Sequence, residues 1–491
     1  MSFPRVFNVV GLLVGFTGAA MALTTLVAWQ MGDPHFPSLA LAAGITLVAG
    51  SATFLATRSS PKELRVREGY VIVTLGWIGM GVFGALPYLL TGTIGRPAPA
   101  FFESISGFTT TGATVLTGLD TMAPGILFWR SLTQWLGGMG IIVLAVAVLP
   151  FLGIGGMQLL QAEVPGLAPE RLRPRITQTA KLLWYVYLAL TMIQVALYLA
   201  GGMDTFDAVN HAFTTMSTGG FSTRDASLGA FQSPYIQWVT VVFMYLAGIN
   251  FVLHFRAASP RRRLHVHAYR RDSEWRFYTR LILAATALVV AVNWVSGAYP
   301  LSPSGTEAVV RDAAFQVVSI MTTTGFATQD YAQWVAPAQM TLLLLMFVGG
   351  MAGSTAGGVK TVRVLLLLKH TAIQMRKHLH PRAILVARLG GRAVKDDVLA
   401  TVVGFVILYA ILVTAGMLVM SLLGIDLMTS LGLSASTVGN IGPALGAAGP
   451  AGNYAWISEP GLLVLAFLMI VGRLEMYTVL ILFSREVWRR N

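Results

Sequence analysis

The chain contains no cysteine and very little charge. Only 11% of its 491 residues are Asp, Glu, Lys or Arg, whereas 55% are hydrophobic. The lack of cysteine excludes disulfides, thiol catalysis and cysteine metal sites. Long apolar runs with few charges are typical of a polytopic helical membrane protein, and the mean hydropathy of +0.68 agrees with that class.

Acidic residues are scarcer than basic ones, which leaves a net charge of +13. Such an excess could indicate a nucleic-acid partner. The basic residues, however, lie in loops between apolar segments rather than on one soluble domain, so we expect no nucleic-acid binding. The positive-inside rule for membrane proteins explains the excess more simply.

The apolar segments predict ten membrane spans. The first follows Arg5 and is too long for the apolar region of a signal peptide, so we expect a retained helix. When ten spans are counted, the basic clusters at 58–67, 171–181, 256–280, 369–395 and 485–490 share one side, which predicts two cytoplasmic termini. The predicted spans are 6–30, 37–57, 68–92, 125–152, 178–201, 232–255, 277–297, 337–370, 397–424 and 459–484.

The loops on the opposite side carry mostly acidic residues. Eleven acids stand there against only Arg96, Arg224 and Arg311. A mouth with excess negative charge concentrates cations and repels anions. The alternative is a solvated outer surface with no steering role. The acids are Asp33, Glu103, Asp120, Asp204, Asp207, Asp225, Glu307, Asp312, Asp330, Asp426 and Glu459.

Four short polar segments recur at nearly equal spacing inside the apolar sequence. Their glycines, Gly112, Gly219, Gly325 and Gly439, are 107, 106 and 114 residues apart. A regular period indicates repeated structural units, here each with a helix, a re-entrant loop and a second helix. The segments are Thr109-Thr110-Thr111-Gly112, Met216-Ser217-Thr218-Gly219, Thr322-Thr323-Thr324-Gly325 and Ser436-Thr437-Val438-Gly439.

A half-helix is predicted before each polar segment, at residues 100–108, 206–215, 310–321 and 427–435. These pieces are too short to cross about 30 Å of hydrocarbon. Non-helical backbone at membrane depth is tolerated only when it is buried in protein or lines a water-filled cavity. Four such breaks therefore predict one shared polar cavity, and the negative C-terminal ends of the half-helices favour a cation in it.

The residue types in the four segments suit a dehydrated monovalent cation. Carbonyl oxygens aimed at an axis can replace the ion's water, with a threonine hydroxyl at the inner end. Glycine permits the backbone angles that aim carbonyls inward. For a single copy, a polar kink packed by hydroxyls is the alternative. The predicted ion-selectivity filter is Thr110, Thr111, Gly112, Ser217, Thr218, Gly219, Thr323, Thr324, Gly325, Thr437, Val438 and Gly439.

Two further segments, Ser-Leu-Thr-Gln-Trp-Leu-Gly-Gly-Met-Gly at 131–140 and the glycine-rich 349–360, accompany the four motifs. Together they resemble the Trk/Ktr/HKT superfamily of potassium transporters, and two extra helices over 6–57 point to its TrkH branch. The resemblance implies an all-α polytopic membrane protein with four helix–pore loop–helix repeats around one pore. The implied units are an extension at 1–60 and repeats at 61–160, 161–258, 259–380 and 381–491.

The resemblance also implies a function, namely potassium uptake across the bacterial inner membrane through a gated, K⁺-selective, channel-like pore. Gly112 favours K⁺, because serine at the first filter glycine accompanies sodium permeation in the plant relatives. The alternative is a proton- or sodium-coupled symporter, which usually needs carboxylates at midspan. We expect no enzymatic activity and no bound cofactor, with K⁺ as the transported ion held at the filter residues.

The glycine-rich segment 349–358 is predicted to unwind and to obstruct the pore beneath the filter. It holds Gly349, Gly350, Gly353, Gly357 and Gly358, five glycines in ten positions, and Lys360 closes it. Each glycine destabilises a helix by about 1 kcal/mol relative to alanine. Close helix packing through small residues is the alternative to a gate.

Arg473 is predicted near the middle of the last span, where a charge costs roughly 3 to over 10 kcal/mol and must face protein or water. Glu475 lies on another face of the helix, so we expect Arg473 to bond carbonyls of the glycine-rich segment. Its predicted roles are to limit ion occupancy or to latch that segment. The alternative is an ion pair with Glu475 of a neighbouring copy. His211, in the second half-helix, is either a proton site or a hydrogen-bonded core residue.

The partners follow from the resemblance alone. It implies a homodimer in membrane lipid and a cytosolic nucleotide-binding RCK-type Trk regulatory subunit. The basic loops around 261–271 and 376–395 are candidate docking surfaces, and the alternative is a topology signal in contact with anionic lipid. Residues 349–360 lack the strand context and pattern of a phosphate-binding loop, so the chain itself should bind no nucleotide.

Overall fold

The computed structural model describes residues 2–58, 66–147, 172–258, 266–297, 299–300 and 302–488. Helices make up nearly all of the regular structure, which confirms the predicted all-α class. The strands in the described ranges are Arg388–Leu389 and Arg392–Ala393, paired antiparallel in one short hairpin. The predicted unit boundaries at 60, 160 and 258 fall within or beside the gaps between these ranges and stay predictions.

The first two helices, Phe3–Gln30 and Phe36–Ala56, form an antiparallel hairpin. Small residues bring them close together: a β-carbon on Gly18 would collide with Leu47, and one on Gly50 would collide with the backbone of Gly15. Without a hydrophobic driving force between helices in lipid, such close packing is what holds them together.

The same order of helices then occurs four times, as an outer, a pore and an inner helix. The outer helices are Val66–Gly84 (continued by Leu86–Leu90), Leu172–Ala200, Ser273–Val295 and Asp396–Leu422. The pore helices are Pro97–Phe108, Thr205–Met216, Pro303–Met321 and Leu427–Gly439. The inner helices are Pro124–Ala147, Pro234–Ala247 with Phe251–Ala258, Ala336–Met346 with Thr361–Leu379, and Glu459–Arg473 with Tyr477–Leu480. Short helices cover Val266–Arg271 and Arg485–Trp488.

Local sequence fixes where the pore helices begin. Asp204, Ser302 and Asp426 accept hydrogen bonds from backbone N–H groups at the start of pore helices 2, 3 and 4, at 2.9, 3.1 and 3.0 Å. Such caps satisfy donors that have no partner within the helix. Pore helix 1 begins with Pro97, whose fixed φ and missing N–H suit a first helical position.

Each of the ten predicted spans corresponds to a helix or a pair of helices. An interruption was expected only in inner helix 3, but inner helices 2 and 4 are interrupted as well. Six helices in the described ranges are long and apolar enough to cross a membrane, and inner helices 2 and 4 are bent by 101° and 110°. At the first bend, the Gly248 carbonyl accepts from Met351 N at 2.9 Å instead of continuing its helix. At the second, Glu475 has a left-handed φ of 57°. The last part of the span predicted at 125–152 lies outside the described residues.

The apolar core divides into two main clusters. One joins the N-terminal hairpin to units 1 and 4, and the other joins units 2 and 3. Large apolar side chains such as Leu12, Val48 and Leu422 remain exposed on the outer helices and the hairpin. Exposed apolar surfaces of this kind are suited to contact with lipid. The hairpin and the outer helices therefore form the lipid-facing layer around the pore helices.

Candidate functional site

Each pore helix ends in the same backbone reversal. Thr110, Thr218, Thr323 and Asn440 follow the helices with left-handed φ angles between 52° and 56°. Two residues later stand glycines with φ between 79° and 100°, namely Gly112, Gly220, Gly325 and Gly442. A β-branched threonine rarely adopts a left-handed conformation, so its recurrence marks four equivalent loops.

This equivalence shows that the predicted alignment is wrong in units 2 and 4. In unit 2 the counterpart of Gly112 is Gly220, so Gly219 takes the place of Thr111, and Ser217 is the residue that caps pore helix 2. The shift arises from the adjacent glycines Gly219 and Gly220, either of which fits the pattern. The structure places the predicted residues of units 1 and 3 in their loops as aligned: Thr110, Thr111, Gly112, Thr323, Thr324 and Gly325.

In unit 4 the counterpart of Gly112 is Gly442, three residues beyond the predicted Gly439. Thr437, Val438 and Gly439 lie inside pore helix 4. The Thr437 hydroxyl donates to the Leu433 carbonyl at 2.7 Å, one turn back in the same helix. The Thr437 hydroxyl is therefore engaged in a hydrogen bond within the helix. Residues 437–439, which match the filter pattern in sequence, are part of the helix and not of the loop.

The four loops pack against one another in a closed ring. At each glycine, a β-carbon would collide with the carbonyl oxygen of the residue before the next unit's glycine. Since the fourth loop contacts the first, the ring has no gap, and space as well as backbone angle requires glycine at each position. The contacts join Gly112 to Gly219, Gly220 to Thr324, Gly325 to Ile441 and Gly442 to Thr111.

Inner helix 1 holds the loop of unit 2 from behind. Gln134 donates from Nε2 to the Gly219 carbonyl at 2.7 Å and accepts from Phe221 N at 3.0 Å. Arg130, one turn earlier, donates to the Ser222 carbonyl at 2.9 Å and pairs with Glu103 at 3.0 Å. The segment 131–140 that carried the resemblance therefore positions this loop.

Asn440 connects unit 4 to unit 1. Its Nδ2 donates to the Thr111 hydroxyl at 3.0 Å and to the Met469 carbonyl at 2.9 Å. Asn440 occupies the position that is threonine in the other three units. Asparagine tolerates the left-handed conformation through its short polar side chain, so this residue closes the ring where the sequence pattern departs from its repeat.

A cavity of about 80 Å³ lies on one side of the ring and defines its mouth. Each of the three arginines predicted for this side is paired with an acid. Arg224 bonds Asp207 at 2.6 Å, and this hydrogen bond raises the pKa of Arg224. The other pairs are Arg96 with Glu459 at 3.1 Å and Arg311 with Glu307 at 2.5 Å. The cavity is lined by Gly112, Gly220, Gly325 and Gly442 together with Arg130, Arg224 and Asp225.

Several of the acids on the mouth side form hydrogen bonds that stabilise the fold. Asp33 accepts from Gly125 N at 2.8 Å, which ties the N-terminal hairpin to inner helix 1. Asp426 caps pore helix 4, and hydrogen bonds from Thr429 lower the pKa of Asp426. Caps and ion pairs thus account for part of the acidic excess, and steering of cations stays a prediction.

The glycine-rich segment lies on the opposite side of the ring, across the ends of three pore helices. As predicted, it is not helical: inner helix 3 stops at Met346 and resumes at Thr361. The Thr355 hydroxyl donates to the Met216 carbonyl at 3.1 Å, and Gly357 N donates to the Thr323 hydroxyl at 2.7 Å. Gly357 also lies so close to the Gly439 carbonyl that a β-carbon would collide with it.

Arg473 bonds the glycine-rich segment, which confirms its predicted partner. Its Nη1 donates to the Thr355 carbonyl at 2.8 Å, and the side chain is buried. Arg473 ends the first half of inner helix 4 rather than lying inside a continuous span, so its predicted position is corrected. Glu475 pairs with Arg363 of the same chain, and Lys360 donates to the Ala356 carbonyl within the segment.

Glu274 holds both ends of the glycine-rich segment. Its Oε1 accepts from Ala352 N at 2.8 Å and from Val362 N at 3.0 Å. The residue stands in the first turn of outer helix 3 and is buried. One carboxylate thus joins the beginning and the end of this loop to a neighbouring helix.

The chain also has clear counterparts among known proteins. The TrkH family, described as a cation transport protein, matches residues 38–489.

The chain belongs to the TrkH family.

Individual relatives agree along the whole length. The Trk system potassium uptake proteins TrkH of Halomonas elongata and of Escherichia coli K12 are each 40% identical, and the alignments cover 100% of both chains. The crystal structure of the potassium transporter TrkH from Vibrio parahaemolyticus superposes with a TM-score of 0.91 at 38% identity, again over 100% of both chains. The fold described above is therefore the TrkH fold, and the family is one of transport proteins.

Sequence reasoning missed four residues of this TrkH-family site. The pattern was matched to Gly219 and Gly439, which come earlier in the chain, instead of to Gly220 and Gly442. Asn440 could have been found from the Asn440-Ile441-Gly442 spacing, which repeats that of the loops in units 1 and 3. Glu274 has no motif around it, and only the folded chain reveals its two bonds.

His211 is a hydrogen-bonded core residue, which agrees with one of its two predicted readings. Its Nδ1 lies 2.8 Å from the Asp207 carbonyl and its Nε2 lies 2.9 Å from the Ser222 hydroxyl. Both nitrogens are thus engaged, and the ring joins pore helix 2 to its own loop.

Proposed function

We propose that this protein takes up potassium through a gated, K⁺-selective, channel-like pore. Its relatives in Halomonas elongata and Escherichia coli are named as potassium uptake proteins. The observation that carries the proposal is the closed ring of four loops. Glycines at its contacts permit backbone angles that aim carbonyl oxygens at an ion, which is how potassium channels replace the hydration shell.

The filter in this proposal consists of residues 110–112, 218–220, 323–325 and 440–442. The C-terminal ends of all four pore helices meet at these loops, and their partial negative charge favours a cation. The hydroxyls of Thr110, Thr218 and Thr323 supply further oxygen at the inner end. Asn440 replaces the fourth hydroxyl and makes the ring unequal at this point.

The glycine-rich segment 349–358 is the proposed gate, and Arg473 is its latch. The segment contacts the inner ends of the pore helices, so ions leaving the ring meet it first. A hydrogen bond to a charged group contributes about 1.5–3 kcal/mol, which corresponds to roughly 10- to 100-fold in the population of the closed state. Opening must break the bond between Arg473 and the Thr355 carbonyl.

Passive flow through such a pore is sufficient for uptake. A membrane potential contributes about 2.3 kcal/mol per charge for each 100 mV, or roughly fifty-fold accumulation. Two carboxylates beside the ring, Glu103 and Asp207, are each paired with an arginine. These pairs favour a channel over a symporter, because a coupling carboxylate must exchange its proton or ion during transport.

The proposal places the protein in the bacterial inner membrane, with both termini in the cytoplasm and the acidic mouth outside. The basic clusters support this orientation through the positive-inside rule. A homodimer and an RCK-type Trk regulatory subunit on the basic face complete the proposal. The part of the basic surface at 261–265 lies outside the described residues.

The reversal potential of the purified protein in a planar bilayer tests this function. With potassium on one side and sodium on the other, a value close to the potassium Nernst potential and insensitive to pH is expected. A reversal potential that follows the proton or sodium gradient would instead identify a coupled carrier.

A further inference from the structure

A second cavity lies on the same side of the ring as the glycine-rich segment. Its volume is about 190 Å³, and its walls come from the end of inner helix 2, the short helix Val266–Arg271, the start of outer helix 3 and the strand hairpin. Three of its lining residues are arginines from three different elements. The lining includes Leu253, Arg256, Arg271, Ser273, Leu389 and Arg392.

The charges around this cavity are strongly unequal. Asp272 is the one acid that lines it, and its carboxylate already accepts from Trp275 N at 2.7 Å. The guanidinium groups of Arg256 and Arg271 form no hydrogen bond or ion pair with any residue that the structure describes. Three arginines, two of them with unpaired guanidinium groups, therefore face a space lined by a single carboxylate, which leaves an excess of positive charge.

We propose that this pocket binds a phosphate group, carried by an anionic lipid headgroup or by a soluble phosphate compound. Guanidinium groups bind phosphate oxygens through paired, charge-assisted hydrogen bonds and suit this task better than lysine. The volume is several times the roughly 30 Å³ that one water molecule occupies, which leaves room for the phosphate and its substituent. Leu253 and Leu389 supply an apolar wall beside the charges.

Three walls of the pocket also contact the glycine-rich segment or the residues just after it. Phe251 N, at the start of the helix that carries Arg256, donates to the Gly353 carbonyl at 3.1 Å. Glu274, next to Ser273, accepts from Ala352 N. The hairpin residue Leu389 packs in one apolar cluster with Val362, just after the segment. A ligand that joins these walls stabilises the segment in its present conformation; this consequence, unlike the binding, rests on the proposed gate.

Lipid binding to the purified protein is the first test. The full chain is placed in phosphatidylcholine nanodiscs with a rising fraction of phosphatidylglycerol, and bound phosphatidylglycerol is counted by native mass spectrometry. Replacing Arg256 and Arg271 by glutamine is expected to weaken binding by roughly tenfold or more, since each loses charged hydrogen bonds. The matched control replaces Arg376 and Lys377 by glutamine, which removes equal charge from an exposed stretch of the same basic surface outside the pocket.

Inorganic phosphate separates the two sources of the ligand. Titration in phosphatidylcholine nanodiscs, followed by thermal denaturation, should raise the melting temperature of the wild type but not of the Arg256→Gln/Arg271→Gln variant if a soluble phosphate is bound. A response to phosphatidylglycerol alone assigns a lipid headgroup. Equal losses in the pocket variant and the control, or no binding of either probe, would overturn the inference.

Flux measurements separate the pocket from the proposed function. Wild-type protein in phosphatidylcholine bilayers must conduct potassium if the proposed function holds, whatever the pocket binds. Phosphatidylglycerol or phosphate should then lower the open probability of the wild type and leave that of the Arg256→Gln/Arg271→Gln variant unchanged. If the ligand binds to the pocket but does not change the open probability of the wild type relative to the variant, the binding site stands and its link to the gate is refuted.

Discussion

Removing the Glu274 carboxylate should release the glycine-rich segment. In Glu274→Ala, the N–H groups of Ala352 and Val362 lose an acceptor that now lies 2.8 and 3.0 Å away. These bonds hold the two ends of the segment to outer helix 3. We therefore expect the closed conformation to lose stability relative to any open one.

The expected magnitude follows from the two bonds. Each is charge-assisted and contributes about 1.5–3 kcal/mol, so together they stabilise the closed segment by about 3–6 kcal/mol relative to a state in which both are broken. Water can bond the freed N–H groups when the segment moves, which offsets part of this. A remainder of about 1.4 kcal/mol would still raise the open population tenfold.

Single-channel recording in planar bilayers measures this effect directly. Glu274→Ala should show at least a tenfold higher open probability than the wild type, without any regulatory partner present. Glu274→Gln keeps a neutral oxygen in the same place and should lie between the two. Glu486→Ala serves as the matched control, because it removes an exposed carboxylate near the C-terminus.

The melting temperature decides how a negative result is understood. If Glu274→Ala retains the wild-type melting temperature and the wild-type open probability, then the carboxylate does not hold the gate and the reasoning fails. If the alanine variant does not fold, Glu274→Gln carries the test, since it preserves the packing of the side chain.

Three further variants test other parts of the site. Gly325→Ala should abolish potassium selectivity, because its β-carbon would collide with the Ile441 carbonyl, while Gly44→Ala, with nothing within 4 Å, should be silent in the same reversal-potential assay. Asn440→Ala should lower the melting temperature, since two hydrogen bonds at about 1 kcal/mol each are lost; an unchanged value would contradict its bridging role. Arg473→Ala should raise the open probability by roughly tenfold or more through loss of its bond to Thr355, and unchanged gating would count against the latch.

Hydropathy predicted the positions of the membrane helices well, because these helices depend on the apolar character of consecutive residues. Backbone groups in hydrocarbon must be bonded within their own segment, so each span needs about 20 apolar residues and shows itself in the sequence. The unwound segment at 349–358 was predicted for a similar reason, since five glycines cannot sustain a helix. The bends of inner helices 2 and 4 carry fewer glycines, and there the bonds to Met351 and Arg363 come from distant parts of the chain.

The four loops after the pore helices show where a match of residue types fails to predict the structure. Units 1 and 3 share the letters Thr-Thr-Thr-Gly and were aligned correctly. Unit 2 contains the adjacent glycines Gly219 and Gly220, and the sequence pattern alone does not distinguish which of them corresponds to Gly112. Unit 4 has Thr437 and Gly439 at the end of its pore helix, so the pattern matched Gly439, three residues before the loop glycine Gly442.

The sequence by itself determined the membrane class, the positions of the apolar segments and the four polar breaks, since each depends on residues close together in the chain. Only the tertiary structure decided which groups meet across the ring. Gly442 reaches the Thr111 carbonyl, and Glu274 bonds both ends of a loop some eighty residues later. Such contacts depend on how whole helices pack, and packing joins residues whose separation along the chain carries no signal of their proximity.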